Sequence, residues 1–372
     1  MHDKLKNRIL AALFLLIVAG GFLLHVFLPD AARSTAERRS LAKLPEITLS
    51  SLLGGKFSQN FDTYALDQFP FREGFRSVKA FVQYKLLGRK DSNGIFLAEG
   101  HIGKLEYPLS ESSAYRAAEK FVQLRDTYFP GSQVFLSLVP DKSYFLAEQN
   151  GYPALDYEKM FAIMKENTPG FTYIDVTDTL SAQDYYTTDA HWRQECLEDT
   201  ALRLAEGLGV KDSFKWEYEA IDIPDFYGVY HGQAALPFKP DTLTYLTSPT
   251  TEDALVYNVE TGKTETGVYD LAKLTDGKSM DMYDIFLSGA AAVLKVTNTH
   301  AEGAAKGREL IIFRDSFTSS IAPLLLDGYE SITLVDIRYI ASEFLPQYVD
   351  FNGQDVLFLY STSVINSSSM LK

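Results

Sequence analysis

Asp189 and His191 stand two residues apart in "YYTTDAHWRQE", residues Tyr185 to Glu195, and Ser316 follows an apolar run in "ELIIFRDSFTSS". A serine hydroxyl is a poor nucleophile at neutral pH. It needs a base to take its proton, and the base needs an orienting acid. Asp189 and His191 have the types for both tasks, because residues i and i+2 share a face in extended chain. Ser316 lies where a hydrophobic strand gives way to a helix start, so its backbone N–H can meet a developing oxyanion. A serine or aspartate helix cap explains the same turn without chemistry. Trp192 is read either as a wall of the site or as packing with a hydrogen-bonded indole N–H.

Zinc fits these residues poorly. His191 has no ligand-spaced partner among His101, His231 and His300, and one cysteine, Cys196, excludes a thiolate site or a disulfide framework. Neither a metal nor another cofactor is expected. Arg338, just past the strand in "LVDIRY", can clamp an anionic or sugar group, or pair with Asp336 or Asp350. Tyr360, at the end of "DVLFLYS", faces either the site or the core. Asp141 and Lys142 in "VPDKSY" also follow a strand and are placed near the cleft.

These residues need a frame that brings positions far apart in sequence to one rim. The chain has 372 residues, 46% of them hydrophobic, which is ample for a large core. From Ser112 onward, helical and strand patterns alternate. "SSAYRAAEKFVQLRDTYF", "DYEKMFAIMKENTPG" and "QECLEDTALRLAEGLG" read as helices. "SQVFLSLVP", "FTYIDV", "ELIIFRDSF", "SITLVDIRY" and "DVLFLYS" read as strands. The alternation predicts an α/β domain with a parallel sheet flanked by helices, whose ligands bind beyond the carboxyl ends of the strands. Residues 214–299 break the rhythm and predict an antiparallel β-rich insertion. Upstream, "NGIFLAEGHIGKL" suggests a hairpin, and two helices are expected around the Phe69–Pro70 break, with Asp67 and Arg72 as a structural ion pair.

The N-terminus is organised differently. Ile9 to Leu28 is an apolar run broken by Gly20, Gly21 and His25. About 20 apolar residues suffice to cross a bilayer core. Lys4, Lys6 and Arg8 precede the run, as expected of a short cytoplasmic tail. The reading is a tail at 1–8, a single-pass anchor at 9–28, a polar linker at 29–45 and a folded domain at 46–372 outside the cytoplasm. A cleaved signal peptide competes, but the run is long for one and lacks a good small-residue cleavage site. Arg33, Arg38 and Arg39 are read as a solvated stalk. The net charge of −14 argues against a nucleic-acid partner.

Taken in order, "FDTYALDQFPFR", "NGIFL", "LVPDKSYF", "YYTTDAHW", "DMYDIFLSG", "ELIIFRDSF", "LVDIRY" and "DVLFLYS" resemble the DHHW-motif proteins. Those are similar to the SGNH-hydrolase-like proteins of alginate O-acetylation. The resemblance spans nearly everything after the anchor. It implies an SGNH-hydrolase-like α/β domain with permuted motif order, Ser316 as nucleophile, His191 as base, Asp189 as orienting acid and Arg338 at the rim. Ala190 stands where the name motif has its first histidine. The acetylation relatives share only Asp-x-His-Trp, so this departure spares the catalytic histidine. The implied activity is serine acyl transfer, O-acetylation of a surface or cell-wall polysaccharide, with a membrane-bound partner as possible acyl donor. An acetylesterase with the same triad and a non-catalytic polysaccharide-binding or assembly protein are the alternatives.

Overall fold

The structure is a computed structural model and describes residues 2–34, 36–275 and 280–372. Residue 1 of the expected tail, residue 35 of the linker and residues 276–279 of the expected insertion lie outside the described residues. The chain forms two compact units, one of residues 1–92 with 232–237 and one of residues 93–231 with 238–372.

The first unit is helical. Helix α1 spans His2–Phe27, and its stretch Lys4–Phe27 is long and apolar enough to cross a membrane. Helices α2 (Leu49–Leu53), α3 (Lys56–Asp67) and α4 (Arg72–Phe81) follow. The break between α3 and α4 falls at Phe69–Pro70, as the sequence predicts. Arg39, expected in solvent, instead grips buried Asp67 with two hydrogen bonds of 2.8 and 2.5 Å. A buried carboxylate needs a counter-charge, and the Arg39 hydrogen bond holds Asp67 down at about 2. The expected partner Arg72 is more distant from Asp67, at 3.8 Å, and bonds Glu37 at 2.8 Å.

The second unit is built on one eight-stranded sheet. Its strands are β1 (Val134–Val139), β2 (Thr172–Tyr173), β3 (Leu255–Asn258), β4 (Lys263–Thr266), β5 (Val293–Thr297), β6 (Glu309–Arg314), β7 (Ser331–Val335) and β8 (Asp355–Ser361). The order across the sheet is β4-β3-β5-β7-β6-β8-β1-β2. The five strands from β7 to β2 run parallel, and β4, β3 and β5 extend one edge antiparallel. The segment read as an insertion thus contributes three strands to the main sheet, besides a separate pair, Glu219–Phe226 with Asp241–Thr247.

Alternation along β6 shows why both faces are covered. Leu310 and Ile312 enter one core with Leu357 and Leu359 of β8. Ile311 and Phe313 enter the other with Val356 and Phe358. Successive side chains of a strand point to opposite faces, so each face needs its own helical cover. Helix α5 (Glu111–Tyr128) covers one face with Ala114, Ala117, Ala118, Phe121 and Leu124, a helical spacing. Helix α6 (Tyr157–Asn167) joins it through Met160, Ile163 and Met164. The opposite face is covered by α7 (Glu198–Gly207) through Ala201, Leu204 and Ala205. The helix start expected after Ser316 is a short α-turn, Thr318–Ile321, continued as 3-10 helix to Gly328. Pro323 near the start of that continuation supplies no backbone N–H.

Candidate active site

Strand β6 ends at Arg314, and the chain turns at Asp315. The Asp315 carboxylate accepts from the backbone N–H groups of Phe317, at 3.0 Å, and Ser361, at 2.7 Å. Asp315, not Ser316, therefore does the turn-fixing work expected of a cap, and the Ser316 hydroxyl is directed elsewhere. Its Oγ lies 2.8 Å from His191 Nε2. His191 Nδ1 lies 2.7 Å from Asp189 Oδ1. Serine, imidazole and carboxylate thus form one continuous relay, although the first two are 125 residues apart in sequence.

Each member is held. Asp189 is fully buried, and its Oδ2 accepts from the Val229 N–H at 2.8 Å. The His191 ring is stacked on Tyr283 at 4.0 Å and 9°, and meets the tilted ring of Phe317 at 5.0 Å. Burial opposes the imidazolium, but the Asp189 hydrogen bond and charge outweigh it, so His191 is raised above its ordinary value. Trp192 does not line the cavity. It is fully buried, and its indole N–H donates to Phe317 O and Ser320 Oγ, at 3.1 and 2.8 Å. Ser320 Oγ also accepts from the Tyr283 hydroxyl at 2.7 Å. The indole therefore braces the base segment against the nucleophile turn.

The relay opens into a cavity of about 230 Å³. Arg338 lines it and pairs with Asp336 through bonds of 2.8 and 2.6 Å. Tyr360 is not at this cavity. It is fully buried in the core, stacked on Phe121 at 5.1 Å. Its place on β8 points it to the α5 side, and strand position alone cannot distinguish that face from the rim.

Three further cavity residues, Arg314, Asp281 and Tyr283, were not singled out from the sequence. Arg314 lines the cavity although it is buried, donating to Ser319 Oγ at 2.5 Å. Burial pulls its guanidinium below the ordinary value, with the Asp336 charge opposing. Asp281 and Tyr283 come from the "DMYDIFLSG" stretch, whose Asp-x-Tyr pattern reads as an ordinary turn start. Lys142 lies not in the cleft but behind the base segment, buried, with Nζ 2.8 Å from the carbonyl oxygens of Tyr186 and Asp189 and 3.2 Å from that of Thr187. Among the described residues, no cluster of His, Cys, Asp and Glu suits a metal ion.

Gly228 marks a close approach. A Cβ there would sit 2.3 Å from Asp189 Cβ and from Thr188 O. Gly228→Ala must displace the orienting carboxylate or its own chain. We expect a loss of about 1–3 kcal/mol of stability and a fall of about 10- to 100-fold in kcat, as misplacement of about 1 Å produces. Urea unfolding and steady-state kinetics on the same preparation measure both.

A mostly parallel sheet flanked by helices, with Ser316, His191 and Asp189 hydrogen-bonded in series beyond the end of β6, makes an SGNH-hydrolase-like α/β architecture. Solved structures share the fold. The chain is similar to a DHHW family protein from Eubacterium siraeum, at 21% identity and TM-score 0.59 over 75% of this chain and 94% of that one. It is also similar to Bacillus cereus PatB1, solved with a sulfonyl adduct, at 17% identity and TM-score 0.55 over 73% of this chain and 95% of that one. These likenesses extend to structure the resemblance seen in the motifs, and at such identities they show the fold. No family model and no curated protein matches the chain.

Proposed function

We propose that this chain is a membrane-anchored, extracytoplasmic serine acyl-transfer enzyme that O-acetylates a surface or cell-wall polysaccharide. The observation that carries this reading is the relay of 2.8 and 2.7 Å from Ser316 through His191 to Asp189, opening into a cavity. In the proposed cycle Ser316 Oγ attacks the acetyl carbonyl carbon while His191 Nε2 takes the hydroxyl proton. The backbone N–H of Ser316 meets the oxyanion. Collapse expels the donor's oxygen, which leaves with the proton from His191. A sugar hydroxyl then attacks the acetyl-serine, giving its proton to His191, and the ester passes to the sugar as Ser316 regains its proton. Arg338 lies where it can orient the sugar or an anionic substituent. No cofactor enters the cycle.

The relay favours catalysis over a purely binding role, because a hydroxyl within hydrogen-bond reach of an oriented imidazole is the arrangement that activation requires. The sulfonyl adduct of PatB1 gives further support, since a sulfonyl electrophile is captured by a nucleophile. An esterase uses the same relay with water as acceptor. The test is turnover of a chromogenic acetyl ester with and without an oligosaccharide acceptor. Acetylated oligosaccharide is the expected product. Acetate alone assigns the esterase, and no turnover together with no sulfonyl fluoride labelling at Ser316 overturns catalysis.

The pH profile follows from His191. The base must be neutral to accept a proton, and its raised value keeps the imidazolium to higher pH. The acid limb of kcat/KM is therefore expected above the ordinary histidine value of 6.5. Asp189→Asn should move that limb down while lowering the plateau. A wild-type limb at or below 6.5 contradicts the assignment.

A further inference from the structure

Helix α4 wears its apolar side outward. Phe75 and Val78, three residues apart, share one face of the helix, and Phe71 stands just before its first turn. Phe71, Phe75 and Val78 are 74%, 59% and 62% exposed. Ala80, on the opposite side of the helix, is buried at 4%. A surface helix ordinarily turns its apolar stripe to the core. Here the stripe continues past the helix end into Leu86 and Leu87, 69% and 63% exposed. Exposed apolar surface of this extent marks an interaction site.

The same unit says what covers the stripe. The junction between α3 and α4 is tied to the exit of α1. His25 Nδ1 lies 3.2 Å from Gln68 O. The Gln68 side chain exchanges hydrogen bonds with the backbone of Ala31, at 2.9 and 3.0 Å. The Tyr64 hydroxyl donates to Asp30 Oδ1 at 3.0 Å. The start of the stripe is thereby fixed where α1 ends and the linker begins, which for a membrane span is the boundary between hydrocarbon and headgroups. Charge agrees. Residues 43–92 hold eight Lys and Arg against five Asp and Glu, while the whole chain holds 35 against 49. Lys79, Lys85 and Arg89 are exposed beside the stripe. An amphipathic helix with a basic flank beside an apolar face binds at an anionic lipid surface.

We infer that α4 and its C-terminal extension lie in the headgroup region of the same bilayer that holds α1, with Phe71, Phe75 and Val78 immersed in the upper acyl region. The anchor is then a two-part device, a span and a flanking surface helix. The inference rests on reading α1 as a span, and its test separates the two. Full-length protein carrying Cys196→Ser receives one cysteine at a time, Val78→Cys, Ser77→Cys or Val18→Cys, and a solvent-sensitive fluorophore. It is reconstituted in vesicles of phosphatidylcholine with phosphatidylglycerol. A lipid nitroxide near the headgroup should quench the Val78 label at least twofold and the Ser77 label less, with aqueous iodide in the reverse order. A Val78 label quenched by iodide, with a Val18 label quenched by deep nitroxide, overturns the inference and leaves the span intact. A Val18 label open to iodide overturns both. A Val78 label shielded from iodide yet insensitive to every lipid nitroxide assigns the stripe to a protein contact and also overturns the inference.

Discussion

Ser316→Ala is expected to lower kcat for acetyl transfer by about 10⁴-fold or more, with secondary structure and unfolding midpoint close to wild type. Ser316 Oγ contributes one hydrogen bond, to His191 Nε2, and no brace to the fold. The turn around it is fixed by Asp315, which bonds the N–H groups of Phe317 and Ser361. Removing the hydroxyl therefore takes away the proposed nucleophile and leaves the framework. His191→Ala should cost a similar factor, and the double variant should be scarcely worse than either single one, because members of such a relay act as a unit. Single variants that each retain turnover within tenfold of wild type would show that acyl transfer, if it occurs, runs through other groups.

Lys142→Met is expected to lower kcat by about 10- to 100-fold with little change in KM. Lys142 does not line the cavity, so it acts as a positioning residue. Its three N–H groups meet three carbonyl oxygens, those of Tyr186, Thr187 and Asp189, and these residues precede the base. Methionine keeps the volume and leaves the Tyr186 and Asp189 carbonyls without this donor, at about 1–3 kcal/mol for each unsatisfied group. Arginine is a poor substitute, since a planar fork cannot place three donors about one point. A second readout separates positioning from simple packing. Burial pulls Lys142 down to about 7, against the charges of Asp189, Asp241 and Asp141. Between about 7 and the ordinary value of 10.5, the unfolded chain binds this proton and the native chain releases it. The Lys142 contribution to stability therefore rises with pH across that window. The stability gap between wild type and Lys142→Met should shift in favour of wild type from pH 6 to pH 9, measured by urea unfolding. A gap independent of pH would mean that the native chain keeps the Lys142 proton across this window.

The strands were legible where one stretch of residues served both faces of the sheet. β8 matches its apolar stretch residue for residue, and β6 stops where Arg314 interrupts the apolar run. The relay was legible because Asp-x-His and a strand-end serine are local patterns. Tyr360, left open between site and core, and Lys142, placed near the cleft, were hard to orient for one shared reason. Both follow or end strands whose carboxyl ends approach the site, yet which side of a strand end faces the cavity depends on neighbours that come from elsewhere in the chain. Tyr283 and Gly228 show the same limit. Each acts on the relay through a contact that no nearby residue announces, a ring stacked on His191 and a missing Cβ against Asp189. Arg39 was read as solvated because its partner Asp67 lies 28 residues onward.

The relay's wide sequence separation bears on synthesis. His191 has no nucleophile to activate until the chain has been made past Ser316. Its stacking partner Tyr283 also arrives after the base segment. Contacts of long sequence separation form late, once the loop between them has closed. On the proposed function, a chain emerging from its N-terminus would be tethered by its first helix well before it could form an acyl-enzyme. Reactivity would then begin only when the sheet is complete, and a nascent or truncated chain would have no competent serine to acylate indiscriminately.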